Sequence, residues 1–279
     1  MIRELINDVF EVIKMDIGYE ENTKNDVCRM RDDHSSLIQV LSTDTSNSCK
    51  TDCLVCGTEV DYLSEPVNAT CHYCGVEEKT YFVCKDRHYV CNRCHSKDAL
   101  AVIENICTTT KLANPLAIAE IIMKHPGIHM HGPEHHSLIP AALVAAYQNY
   151  TGNTDKKQII EAINRGSMIP GGFCGIHGAC GAGVGVGIAM CILLEATPLT
   201  PEERAHANWA TACTLKCIAD AGGARCCKKS TRISLEEGMK YLSDMFDLSW
   251  HEKADFNIKC EYMQYNKECD ENCRYRNDS

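Results

Sequence analysis

Cys53-Leu-Val-Cys56-Gly57, Cys71-His-Tyr-Cys74-Gly75 and Cys84-Lys-Asp-Arg-His88-Tyr-Val-Cys91-Asn-Arg-Cys94-His95 place three Cys-x-x-Cys pairs within 42 residues. Zinc takes four soft or borderline ligands in a tetrahedron, and a Cys-x-x-Cys turn offers two thiolates from one bend. Gly57 and Gly75 follow two of these bends, where a positive φ turns backbone amides toward the sulfurs. Two topologies fit the spacing. In a ribbon, Cys53, Cys56, Cys71 and Cys74 share one ion, and Cys84, His88, Cys91 and Cys94 share the next. In a cross-brace, Cys53/Cys56 pair with Cys84/His88, and Cys71/Cys74 with Cys91/Cys94. Either arrangement leaves zinc no open position, which points to folding and docking rather than catalysis. His95 is a spare ligand or the first residue of the next helix. The strand-like runs Thr80–Val83 and His88–Val90 lie inside this segment, while the remaining apolar spacing is helical. The expected fold is therefore mostly α, a helical domain with a small β-containing, zinc-ribbon-like module near the N-terminus.

Outward from the module, four parts are expected. Residues 1–50 form an N-terminal helix, with an apolar stripe of Ile2, Leu5, Ile6, Val9, Val12 and Ile13, and then a polar linker. Residues 51–95 are the zinc-binding module, 96–250 the helical domain and 251–279 a cysteine-containing tail. Within the domain, the spacing predicts helices over Ser96–Cys107, from Asn114-Pro115 to His125-Pro126, over Pro140–Tyr150 and over Thr154–Arg165. Others run from about Gly183 to Glu195, from Thr200-Pro-Glu-Glu203 to Gly222-Gly223, and from Ser234 to Phe246.

A net charge of −10 and a pI near 5.6 argue against nucleic acid as a partner, because binding to a phosphate backbone needs Lys and Arg. Twenty cysteines suit a secreted disulfide framework only in a short chain behind a signal peptide, and Met1–Tyr19 has no apolar core of that kind. The longest apolar stretch, Ala182–Leu194, is shorter than the ~20 residues a bilayer requires. The expectation is a cytoplasmic, reducing setting, no membrane, and thiols that serve metals or redox chemistry. The Ala- and Gly-rich helices, Pro140–Tyr150 and Gly183–Glu195, allow packing within one chain or across a homodimer.

His125-Pro-Gly-Ile-His129-Met-His131-Gly-Pro-Glu134-His135-His136 gathers five imidazoles and one carboxylate between two helices. Histidine is both the common neutral metal ligand and the acid or base that works near neutral pH. In this reading His129, His131, His135 and His136 hold a metal or move protons. Glu134 orients one of them, or acts as the base for a metal-bound water.

Pro170-Gly-Gly-Phe-Cys174-Gly-Ile-His177-Gly-Ala-Cys180-Gly-Ala-Gly-Val-Gly-Val-Gly187 sets glycines beside cysteines, with His177 between them. Exposed amides of this kind suit cluster sulfides or a substrate anion. The helix that follows aims its positive end at Cys180. Its Gly-x-Gly-x-Gly run is a weak nucleotide signal and fits helix packing better, since no strand precedes it. Cys174, Cys180, Cys226 and Cys227 are the candidate ligands of an iron–sulfur cluster of the 4Fe–4S kind, and Arg225 is the candidate anchor for an anionic group. Cys213 and Cys217 share a helix face and read equally as packing. Cys260, Cys269 and Cys273 form a third set, able to bind zinc or a cluster with a ligand from elsewhere.

Several long motifs carry a resemblance: Cys53-Leu-Val-Cys56-Gly, His88-Tyr-Val-Cys91-x-x-Cys94-His-Ser-Lys-Asp-Ala-Leu, Lys124-His-Pro-x-Ile-His-Met-His-Gly-Pro-Glu-His-His136, the Gly171–Gly187 loop, Ala196-Thr-Pro-Leu and Arg225-Cys-Cys-Lys228. From Cys53 to about Phe246 the chain resembles a family of cysteine-rich proteins of unknown function from anaerobic microbes, some of which carry a methyltransferase label. That label finds no support in these residues. The Gly-Cys loop also looks like those of small helical redox-active cysteine proteins. The expected function is a metalloenzyme with one or two zinc ions and an iron–sulfur cluster or reactive thiols. It would perform redox or sulfur-transfer chemistry on a small-molecule or protein-borne substrate. The alternatives are a non-enzymatic zinc-ribbon adaptor or cluster carrier, and a metal-dependent hydrolase or lyase at the histidine loop.

Overall fold

The computed structural model describes residues 53–248 and 258–277, all of which fall within one unit of the chain. The N-terminal helix and linker expected over residues 1–50 lie outside the described residues. The metal module is built on a hairpin of β1 (Val60–Thr70) and β2 (Glu77–Cys84), paired antiparallel from Val60↔Cys84 to Thr70↔Glu77. The register slips between Tyr62 and Val67, where Pro66 has no N–H to give to a ladder. That interruption, with Ser64 and Glu65 beside it, hides β1 from a reading by alternation.

The helices are α1 (Asn92–Thr109), α2 (Pro115–Met123), α3 (Glu134–Thr151), α4 (Lys156–Ser167), the single turn α5 (Phe173–Ile176), α6 (Gly181–Leu193), α7 (Pro201–Asp220) and α8 (Cys227–Phe246). A 3-10 turn, Met263–Tyr265, is the helical part of the described tail. The mostly helical architecture with a small β module is thus the one expected. Asn114 caps α2 as its sequence demands, accepting from the N–H groups of Leu116 at 2.9 Å and Ala117 at 3.2 Å.

Helix α3 is the axis of the core. Nearly every side chain from Glu134 to Ala146 is buried on it, and α1, α2, α4, α6 and α8 pack around it. Pro140 lies inside α3 and offers no N–H to the carbonyl of His136 four residues earlier. Close approach there is possible because the neighbours are glycines: a Cβ at Gly166 would sit 2.5 Å from that carbonyl, and one at Gly185 3.3 Å from it. The glycines of α6 serve packing on both sides, Gly181 and Gly185 toward α3 and Gly183 and Gly187 toward α7. Arg232 of α8, 1% exposed, forms a two-pronged bond with Glu120 of α2 at 2.7 and 3.0 Å and ties the bundle across.

Three helices begin earlier than the apolar spacing indicates: α1 at Asn92 rather than Ser96, α3 at Glu134 rather than Pro140, and α8 at Cys227 rather than Ser234. The first turn of each addition, Asn92–His95, Glu134–Ser137 and Cys227–Ser230, is made of polar or sulfur-bearing residues, so it carries no apolar periodicity. Those same turns carry Cys94, His95, Glu134, His135, His136 and Cys227.

Candidate functional site

The module resolves the choice of topology as a cross-brace. Cys53, Cys56, Cys84 and His88 gather their ligand atoms within 4.8 Å of one another, and so do Cys71, Cys74, Cys91 and Cys94. The Cys56–Cys84 and Cys74–Cys91 sulfurs are 3.8 and 3.7 Å apart. Zn–S bonds of about 2.3 Å in a tetrahedron put thiolates about 3.8 Å apart, so both groups are geometrically able to hold an ion. Gly57 and Gly75 adopt φ of 74° and 71°, closing the two knuckles through Gly57 N–H to Cys53 O and Gly75 N–H to Cys71 O. Against the upward push of burial, the N–H groups of Cys91, Cys74 and Tyr73 draw the Cys71 thiol down to about 6, favouring the thiolate a metal needs.

A third group is of another kind. His95, on the first turn of α1, meets His129 of the loop and Glu134 at the start of α3, again with ligand atoms within 4.8 Å. His129 Nδ1 lies 3.2 Å from Glu134 Oε1, and the His129 N–H donates to the same oxygen at 3.1 Å. His95 Nδ1 stands 3.7 Å from Glu134 Oε2, with the two imidazole centres 4.4 Å apart. The Glu134 side chain is fully buried. Burial alone would raise its carboxyl, yet His129 and His95 hold it well below the usual carboxylate range. Its place requires Gly132, since a Cβ there would come 2.0 Å from Oε2. Among the described residues, His95 Nδ1 and Glu134 Oε2 are both buried without a hydrogen-bond partner. Two facing atoms of complementary donor chemistry, each without a bond, are what a cation-binding set presents.

Three further histidines, His131, His135 and His136, lie near this trio, each with its pKa lowered chiefly by burial. His135 donates through Nδ1 to Gly132 O at 3.1 Å, which leaves the Nε2 lone pair buried and without a partner among the described residues. Burial, with Lys228 nearby, drives its pKa down to about 3. Burial and then Arg225 drive His131 down to about 4, and its Nε2 donates to Asn266 Oδ1 at 3.3 Å. His136 donates through Nδ1 to Ile169 O at 3.0 Å and lies flat against Gly181.

His95, His131 and His135 form one wall of a cavity of about 160 Å³, and Cys174, Cys180 and Cys227 face it from the glycine loop and the start of α8. Arg225 stands at its rim. Its guanidinium donates to the Tyr62 hydroxyl of β1 and lies 5.3 Å over that ring. Despite partial desolvation, Tyr62, Cys227 and Cys174 raise its pKa further and keep it a cation. Burial pushes the Cys227 thiol up to about 12, against the pull of Arg225 and the Gly132 N–H. Asn92 Oδ1 accepts the Gly171 N–H at 2.9 Å and fastens the glycine loop to the start of α1.

Residues 103–276 match the sequence model of a family of unknown function, DUF5714. The chain belongs to this family. No curated protein and no solved structure matches it. The region matched begins beyond the cross-brace and runs through the tail, so in this DUF5714 protein His95 enters the trio from outside the matched stretch. No helix among the described residues is long and apolar enough to cross a membrane.

Of the residues singled out in the sequence of this DUF5714 chain, Cys226 and Cys227 part company. Cys226 caps α8 and lines a second cavity with Cys260, Cys269 and Cys273, while Cys227 faces the first. His177 is exposed on the turn after α5 and stacks on Phe173 at 4.5 Å, outside the lining of either cavity. Cys217 is buried against Ile233 and Tyr275 as a packing residue. Asn92, Tyr62 and Asn266 were not legible as site residues, and His95 was legible only as a spare ligand or the start of a helix. For His95 the available signal was its place directly after Cys94, and the other three carry none.

Proposed function

We propose that this protein is a metalloenzyme. Its catalytic ion is held by His95, His129 and Glu134, and its chemistry is redox or sulfur transfer on a small anionic substrate at the cavity that ion borders. One observation carries the reading: a buried carboxylate between two imidazoles, with unpartnered atoms facing one another, and one of those imidazoles, His95, also lining a cavity that presents Cys174, Cys180, Cys227 and Arg225. A set of three protein ligands leaves positions for substrate, as catalytic sites do, whereas the four-ligand groups of the cross-brace are closed and serve the fold as zinc sites. Bound in the trio, a divalent ion supplies a Lewis acid or an electron-transfer centre. Arg225 binds the anionic group of the substrate, and its bond to Tyr62 fixes the guanidinium at the rim. His135, kept neutral by burial, offers its Nε2 lone pair as a hydrogen-bond acceptor at the cavity, and Cys227, Cys174 and Cys180 are the thiols that line it.

The test is the metal content of the full chain, purified without oxygen, beside that of its Glu134→Gln and His129→Ala variants. Each variant is expected to lose one equivalent per chain and all turnover of small sulfur oxyanions and disulfides, with the module's zinc unchanged. Equal metal content in wild type and Glu134→Gln sinks the proposal.

A second reading, a metal-dependent hydrolase or lyase, is favoured by the ligand set itself, because two histidines and a glutamate also hold the zinc of hydrolytic enzymes. The thiols separate the two. Activity that survives replacement of Cys174, Cys180 and Cys227 by serine belongs to the hydrolase or lyase, and activity that dies belongs to thiol chemistry.

A further inference from the structure

Cys226, Cys260, Cys269 and Cys273 line one cavity between the start of α8 and the tail, together with Lys229, Arg232 and Arg276. Three of the thiols come from residues 258–277, which hold one 3-10 turn as their helical structure. Such a segment is costly to order unless something bonds it to the body of the fold. Tyr262 and Tyr275 anchor it by burial, and Cys260 N–H donates to Tyr275 O to close its two ends together.

The sulfurs are prepared as acceptors. The N–H of Lys229 points at Cys226 Sγ at 3.4 Å and that of Tyr262 at Cys260 Sγ at 3.4 Å, while Arg276 Nη1 reaches Cys269 Sγ at 3.9 Å. Cys226 also sits at the positive end of a long helix. Three cations, Lys229, Arg276 and the Glu120-bound Arg232, line the cavity against one carboxylate, Asp270, and offset part of the charge of four thiolates.

We infer that these four cysteines hold an iron–sulfur cluster, a second metal centre separate from the histidine-carboxylate trio. The spacing argues against a single ion. The two groups of the module draw their ligand atoms within 4.8 Å of one another, and among the described residues no three sulfurs of this quartet do so. The module's two groups are built from three Cys-x-x-Cys bends and one Cys-x3-His bend, Cys84 to His88. Here the spacings are Cys260-x8-Cys269-x3-Cys273, with the fourth thiol from a helix cap. A cubane of irons and sulfides needs its thiolates farther apart than one ion does, each on its own iron. The wall between the two cavities is one residue thick along two stretches of chain. Met130 and Cys226 line the cluster side, and His131 and Cys227 line the other. A cluster at this place adjoins the thiol cavity directly.

The experiment is reconstitution of the full chain with ferrous iron and sulfide without oxygen, followed by iron, sulfide and zinc analysis. About four irons and four sulfides per chain are expected, with broad visible charge-transfer absorption that bleaches on reduction. Cys260→Ser and Cys273→Ser should lose most of the sulfide at unchanged zinc, while Cys174→Ser, Cys180→Ser and Glu134→Gln keep it. Retention in Glu134→Gln makes this result independent of the trio. Because a tail variant can lose a cluster by unfolding, alkylation of the unaltered chain is read as well. Cys226, Cys260, Cys269 and Cys273 should be protected when loaded and labelled after chelation, with the exposed Cys174 labelled in both. The inference is overturned by a chain that takes zinc but no sulfide, by loss of sulfide in Cys174→Ser rather than the tail variants, or by equal alkylation of the quartet in loaded and stripped protein.

Discussion

The cross-brace module and the histidine-carboxylate trio adjoin each other in sequence, since Cys94 belongs to one and His95 to the other, yet they are built on opposite principles. In the module, ligands come from short bends, several are exposed, and little apolar surface lies beneath them: Cys71, Val83, Tyr89 and Cys91 are its buried cluster. The metal would supply most of the folding energy there. In the trio, two residues stand on helices of a large core that folds on apolar burial and His129 on the loop between helices, and Glu134 is held in a slot that Gly132 leaves open. A group of the first kind would depend on an ion for its fold. A group of the second kind is held in place by the core around it, and it tolerates unsatisfied buried atoms there.

Metal removal breaks the comparison most strongly. Chelation of the module's sites should cost on the order of 10 kcal/mol of metal-coupled folding free energy per site. Limited proteolysis should then cut between Cys53 and Cys91 while circular dichroism still reports the helices. Melting of the helices in step with the module would erase the distinction drawn here. Next in size, Glu134→Gln should weaken metal binding at the trio by about a hundredfold, or about 2.7 kcal/mol, in competition titrations, with no change in the affinity of the module.

Two smaller changes sharpen the comparison. Gly132→Ala should lower stability by about 2 kcal/mol in urea unfolding, because the buried Glu134 carboxylate has to move. It should also weaken the trio's metal binding, a paired effect that the same substitution at Gly57 or Gly75, where a Cβ meets nothing within 4 Å, should not show at the trio. Last, Asn92→Ala removes the bond to Gly171 N–H and should cost about 1 kcal/mol. Faster alkylation of Cys174 as the glycine loop loosens would identify that bond as the link between module and cavity. An unchanged rate would detach the two.

Much of this was readable from the chain. The Cys-x-x-Cys bends, the Asn114 cap, the helix-packing role of the α6 glycines and the mostly helical class all follow from spacings of a few residues, where local geometry leaves little choice. The errors share one cause. Apolar periodicity marks helix starts, and the first turns of α1, α3 and α8 have none because they are made of polar and sulfur-bearing side chains. His95 therefore sat at a boundary, and Glu134 in what read as a loop.

What only the tertiary structure decided is which residues face one another. Ribbon and cross-brace use the same eight ligands, and their order in the chain is silent on the pairing. The hairpin from Val60 to Cys84 and the contact of Cys71 with Tyr89 bring the first pair to the third region and the second pair to the last. Cys226 and Cys227 are neighbours in sequence and part into two cavities, because successive residues at a helix start point in different directions. The sequence by itself determined the local bends and the kinds of ligand, since those depend on bonds a few residues apart. The packing of α3 against its neighbours determined which side chains meet, since His95, His129 and Glu134 come from separate segments that only long-range burial brings together.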